Sequence, residues 1–144
     1  MEHLEVANVP HEVVGDLVRF TLAYNPGASF SVSLGEHSRW ILSALALVVV
    51  GVLFLQYRRA AASDRALAFA LACIVAGASG NLLDRLRRPG GVVDFIDIGI
   101  GDVRFWTFNV ADAAVFCGAV MLAWLTIRRD RVHSPSPPGS TSSA

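Results

Sequence analysis

The sequence contains no lysine: all 12 of its basic residues are arginines. That absence excludes a Schiff-base lysine, a Walker-type phosphate lysine and a Ser-Lys dyad. Charge of either sign is scarce. Only 17% of the 144 residues are charged, against about 25% in an ordinary soluble domain. The 12 acids and 12 bases cancel, so the chain has no net charge with which to grip a polyanion, and nucleic acid is excluded as a partner. Cysteine is limited to Cys73 and Cys117, which neither build a disulfide framework nor stand at zinc spacing. His3, His11, His37 and His133 are scattered without metal or triad spacing. No metal and no cofactor is expected.

Oily runs are plentiful, and 53% of the residues are hydrophobic. The first, 40–55 (WILSALALVVVGVLFL), closes on Arg58 and Arg59. The second, 66–83 (ALAFALACIVAGASGNLL), lies between Arg65 and the pair Asp84-Arg85. The third, 113–127 (AAVFCGAVMLAWLTI), ends on Arg128 and Arg129 and lengthens if 108–112 is included. Each approaches the roughly 20 residues needed to cross about 30 Å of hydrocarbon. The expected class is a membrane all-α bundle with transmembrane helices at about 40–57, 66–83 and 108–127.

Arginine placement sets the orientation. Arg58, Arg59 and Arg65 fill the first short connection, and Arg128, Arg129 and Arg131 follow the last helix, so both are expected on the cytoplasmic side. Segments 1–39 and 84–107 then face outward, and Arg85, Arg87 and Arg88 break the rule there. Segment 1–39 has no secretory h-region but does show a strand-like alternation over 17–24 (LVRFTLAY) before a turn at Asn25-Pro26-Gly27. It is expected to form a small extracytoplasmic β element. Segment 84–107 is expected as an outer loop, and 130–144, rich in Pro and Ser, as a disordered cytoplasmic tail. Trp40, Trp106 and Trp124 sit near helix ends as interfacial anchors.

Carboxylates crowd the outward side. Asp84, Asp94, Asp97, Asp102 and Asp112 all fall in the outer loop or at its two helix junctions. Asp112 is followed by fifteen positions of mainly apolar character; a carboxylate at such a boundary is costly and by default functional, although a helix N-terminus also favours one. Asp97 and Asp102 read as solvated loop carboxylates. Phe95 and Ile96 read either as a flap over the site or as loop packing. Cys73 and Cys117 read as packing, and Gly77 to Gly80 (GASG) as small residues for close helix contact.

Four motifs occur in order: Asn25-Pro26-Gly27-Ala28-Ser29-Phe30, Gly80-Asn81-Leu82-Leu83-Asp84-Arg85, Val92-Val93-Asp94-Phe95-Ile96-Asp97 and Phe108-Asn109-Val110-Ala111-Asp112. Together with the hydrophobic segments, from about Val14 to Arg129, they resemble the bacterial lipoprotein signal peptidases (signal peptidase II). These are aspartic membrane peptidases that cut signal peptides from prolipoproteins.

The resemblance implies Asp94 and Asp112 as the catalytic pair. It implies Asn25 and Arg85 as donors to the substrate backbone, and Asn81, Asp84 and Asn109 as residues positioning the pair. Two carboxyls in a poorly solvated site share one proton, so one can activate water while the other polarises the scissile carbonyl. The implied substrate is a diacylglyceryl-modified prolipoprotein, cut before its lipidated Cys. Membrane lipids are the other expected partner, and the protein is expected as a monomer in the bacterial cytoplasmic membrane. The family has four transmembrane helices, so a first helix bearing an Asp and a Lys is expected upstream of those seen here; Ser29 stands where the family commonly has Ala. A transporter or proton-relay subunit using Asp94 and Asp112, or a non-catalytic fragment of the peptidase, stands as the alternative.

Overall fold

The computed structural model describes residues 9–26, 37–60 and 64–133. The tail expected at 130–144 is helical over 130–133, and its remainder, 134–144, lies outside the described residues, as does the 27–30 part of the first motif. Helices α1 (Ser38–Ala60), α2 (Arg65–Arg87) and α3 (Val110–His133) are each long and apolar enough to cross a membrane. At 1.5 Å per residue, the 23 residues of α1 reach roughly 34 Å, enough for the hydrocarbon layer. Only Ser43 and Ala60 of α1 are buried, while Leu45, Leu47, Val48 and Val52 are exposed. Apolar side chains left uncovered along a whole helix belong in lipid.

Helix α2 is central and packs against both α1 and α3. Small residues set its distance from α3. A Cβ on Gly77 would lie 2.3 Å from the Ala111 carbonyl oxygen, and one on Gly118 would lie 2.7 Å from that of Ala70. Close backbone approach replaces the hydrophobic drive that lipid removes.

Side chains tie the helix ends. Arg39, in the first turn of α1, donates to the orphan carbonyls of Arg85 and of Leu86, the latter at 2.8 Å, a cation at the negative end of the α2 dipole. At the other end, Asp64 caps α2 by accepting from Leu67 N at 3.0 Å and pairs with Arg129 of α3.

The small β element is a four-stranded antiparallel sheet in the order β1 (Pro10–Val14), β2 (Val18–Asn25), β3 (Val92–Ile100) and β4 (Val103–Arg104). Half of what reads from sequence as an outer loop at 84–107 is therefore strand. Phe95 and Ile96 are not a free flap but part of β3, and both donate their N–H to the Phe108 carbonyl, at 3.0 and 2.7 Å. The β2–β3 pairing sets Asn25 opposite Val92 and Ala23 opposite Asp94. Between α2 and β3 the chain reverses at Gly91 (φ 90°), where any Cβ would stand 2.2 Å from the Asn25 carbonyl oxygen; only glycine meets both demands.

Candidate active site

The site forms where α2 ends, α3 begins and β3 runs between them. Its centre is the start of α3. Asn109 is the residue before the helix, and Asp112 is its third residue. Asn109 Oδ1 accepts from Asp112 N at 3.0 Å, and Asp112 Oδ2 accepts from Asn109 N at 3.1 Å. This reciprocal pair is a capping box built from Asn and Asp. It satisfies two N–H groups that the helix would otherwise leave without partners, and it locks the Asp112 carboxylate at the helix terminus.

The Asn109 amide nitrogen faces away from the cap. It donates to Asp94 Oδ1 at 2.8 Å and to Asn81 Oδ1 at 3.1 Å. Asn81 Nδ2 in turn donates to Asp112 Oδ1 at 2.7 Å. Two asparagines thus bridge two aspartates, and a third closes the far side: Asn25 Nδ2 donates to Asp94 Oδ2 at 3.2 Å. Asp94 is 4% exposed and Asn109 5%. Burial is the main reason that Asp94 holds its proton above the ordinary carboxyl range, and the charge of Asp112 adds to it. Hydrogen bonds from Asn25 and Asn109 and the charge of Arg85 pull the other way.

A cavity of about 580 Å³ opens over this pair. Asn25, Asn81, Arg85, Asp94 and Asp112 line its polar side, and Tyr24, Phe105, Trp106 and Phe108 its apolar wall. Arg85 donates to the Asn81 carbonyl at 3.3 Å, and its Nε is buried with no acceptor among the described residues. Asp84 behaves differently from its neighbours. It does not line the cavity; it accepts from Val93 N and from Arg88 Nε, both at 3.3 Å, and so holds the residue next to Asp94. Its ion pair is with Arg88 rather than Arg85, as the i,i+4 spacing allows.

The seven residues singled out from sequence therefore meet in one place, six around the cavity or bridging beneath it and Asp84 as a strut behind it. Sequence reasoning missed the apolar wall and the capping box, although an Asn-x-x-Asp spacing ahead of an apolar run is the signal for the latter. The solvated role expected for Asp97 is incorrect: it is 7% exposed and paired with Arg104 at 2.6 Å. Asp102 is exposed.

With this geometry in view, the chain is similar to known proteins. Residues 1–128 match the family model described as signal peptidase (SPase) II. The lipoprotein signal peptidase of Cellvibrio japonicus is 40% identical over 129 residues, covering 88% of this chain and 75% of that protein. That of Pseudomonas aeruginosa (strain UCBPP-PA14) is 44% identical over 115 residues, 77% of this chain and 67% of that one. For Psychromonas ingrahamii the figures are 42% over 105 residues, 72% and 60%. The chain thus spans 60% to 75% of the length of these relatives. A bacterial membrane enzyme solved by the in meso method at 1.9 Å resolution shares the fold, with a TM-score of 0.72 at 23% identity, over 89% of this chain and 81% of the other.

Proposed function

The chain belongs to the signal peptidase II family, and on that premise we propose that it is a multi-pass membrane protease that removes signal peptides from prolipoproteins by an aspartic mechanism. The observation that carries the mechanism is the asparagine bridge between two carboxylates, Asp94 and Asp112, at the floor of an open cavity.

The roles divide by environment. Asp94, buried and with its proton held beyond the usual range, is the acid that hydrogen-bonds the scissile carbonyl oxygen. Asp112, whose two oxygens accept from Asn81 and from the Asn109 backbone at a helix N-terminus, is the carboxylate that takes a proton from water. The hydroxide so formed bonds to the carbonyl carbon while the carbonyl oxygen draws on the Asp94 proton. Collapse breaks the C–N bond, the leaving nitrogen takes the proton from Asp112, and Asp94 recovers its own. Arg85, whose buried Nε has no acceptor among the described residues, donates to a substrate backbone carbonyl, and Asn25 lines the same cavity. The wall of Tyr24, Phe105, Trp106 and Phe108 accommodates the apolar residues of a signal peptide.

The substrate is a prolipoprotein bearing diacylglycerol on Cys, cut just before that Cys. Arg58, Arg59, Arg65, Arg128, Arg129 and Arg131 gather at the end of the bundle away from the site. Under the positive-inside rule that end and the C-terminus are cytoplasmic, and the site opens on the outer face of the bacterial cytoplasmic membrane. A proton-relay role is disfavoured by the same geometry, since the carboxylates sit at one end of the helices rather than at mid-membrane. The test is mass analysis of the products from a lipidated and an unlipidated prolipoprotein. The expected product from the lipidated substrate begins with the modified Cys. Equal cleavage of both substrates, or cleavage elsewhere, contradicts the assignment.

A further inference from the structure

Strand β3 carries a second buried carboxylate that the mechanism does not use. Asp97 Oδ1 accepts from Arg104 Nε at 2.6 Å, Oδ2 accepts from Thr21 Oγ1 at 3.2 Å, and the Asp97 carbonyl accepts from Arg104 Nη2 at 3.2 Å. The same guanidinium reaches the Asp16 carbonyl at 2.9 Å, and Asp16 pairs with Arg19 and accepts from Gly101 N. One arginine therefore joins β3, β4 and the β1–β2 turn. An ion pair this enclosed is retained only where its partners are well satisfied, and it is weak evidence for stability alone.

Its position along the strand matters. Residues three apart on a regular strand face opposite sides, yet Asp94 and Asp97 are both buried. The strand is irregular between them on its Phe108 side, where Phe95 N and Ile96 N share the Phe108 carbonyl; on its other side the pairing also slips, with the extra residue in β2, where Thr21 and Leu22 stand opposite Phe95 alone. Such a bulge bends the strand and re-aims its side chains. Phe108 also returns its own N–H to the Ile96 carbonyl at 3.0 Å, and the next residue, Asn109, holds Asp94. The bulge is thus bracketed by Asp94 on one side and by the Asp97–Arg104 pair on the other.

We propose that Asp97, through Arg104 and Thr21, is a positioning residue that fixes the bulge of β3 and thereby holds Asp94 in its enclosed place beside Asp112. The inference rests on reading Asp94 as half of the catalytic pair. Its effect passes through the backbone, since the hydrogen bonds of Asp97 go to Arg104 and Thr21. Charged groups facing Asp94 are Arg85 of α2 and Asp112 of α3; those around Asp97 are Arg104, Asp16 and the cross-strand Arg19.

The experiment is a pH titration of the Asp94 carboxyl carbon in the full chain, labelled with 13C-aspartate in detergent micelles, with Asp94→Asn identifying the resonance. In Asp97→Asn and Arg104→Met, a freed bulge lets Asp94 reach water, and its midpoint falls by about one pH unit, a tenfold loss of proton affinity. Arg104→Lys, which keeps the cation, falls less. Asp102→Asn, at an exposed carboxylate in the turn between β3 and β4, leaves the midpoint where it was. If Asp97→Asn yields no folded protein, Thr21→Val, which deletes one hydrogen bond to Asp97, shows a smaller fall in the same direction. An unchanged midpoint in folded Asp97→Asn or in Thr21→Val overturns the proposal. In turnover the variants lower kcat with KM unchanged. A wild-type chain that cleaves no prolipoprotein would sink the proposed function instead, and the carboxyl titration would still decide this inference.

Discussion

Replacing Asn109 separates folding from chemistry, because its two ends do different work. Its oxygen caps α3 through Asp112 N, and its nitrogen holds Asp94 Oδ1 at 2.8 Å. Losing an N-cap costs about 1 kcal/mol, and leaving a buried carboxyl oxygen without its donor costs about 1–3 kcal/mol. Asn109→Ala loses both, so its unfolding free energy falls by about 2–4 kcal/mol. Asn109→Ser keeps an oxygen that can cap the helix and regains about 1 kcal/mol of that loss. It does not restore the donor to Asp94. If that bond holds the acid in its productive place, its loss slows cleavage by about 10- to 100-fold in both variants. The donor also favours the ionised form of Asp94, so the alkaline limb of the pH–rate profile moves upward in both. The assay pairs reversible denaturation in detergent with single-turnover cleavage of a lipidated prolipoprotein. Recovery of full activity by serine along with stability would show that Asn109 is only a cap, and would refute the bridge.

Arg85→Ala is expected to raise KM or lower kcat strongly, whereas Arg87→Ala and Arg88→Ala have small effects, since only Arg85 lines the cavity; equal losses at all three would point to a general charge effect. Gly77→Ala places a Cβ 2.3 Å from the Ala111 carbonyl oxygen, and the resulting shift of α3 costs about 1–3 kcal/mol, read as a lower melting temperature with reduced turnover. Unchanged melting would mean that the helices are looser than described. Because burial raises the Asp94 pKa, the native state keeps a proton that the unfolded chain releases, so stability falls as pH rises from the ordinary carboxyl value through the raised one. Melting measured across that window should decline for the wild type relative to Asp94→Asn, and parallel curves would contradict the buried placement.

The helices were legible because three apolar runs in a short chain have no other home than lipid, and β2 because LVRFTLAY alternates with period two. Strand β3 was hidden for a physical reason. VVDFID carries two carboxylates, which argue against a buried strand, and the bulge at Phe95–Ile96 breaks the alternation that would reveal one. Asp97 looked solvated because its partner Arg104 lies seven residues on and meets it only through the reversal at Gly101 (φ 56°) and Asp102. A Gly-Asp pair followed by a lone base was the available clue. The catalytic candidates were legible through the four motifs, but their linkage was not. That Asn109 serves as helix cap and carboxylate bridge at once depends on the distance set by Gly77 between α2 and α3, which no local pattern encodes.

The central claim is that Asp94 and Asp112 act as one catalytic pair. The most direct measurement is single-turnover cleavage of a diacylglyceryl-modified prolipoprotein by the wild type, Asp94→Asn, Asp112→Asn and the double variant, each checked for membrane insertion and folding. An amide can neither accept the proton of water nor share one across the pair, so each single variant should lose cleavage as completely as the double. Near-wild-type cleavage by a folded single variant, or losses that multiply in the double, would contradict the pair.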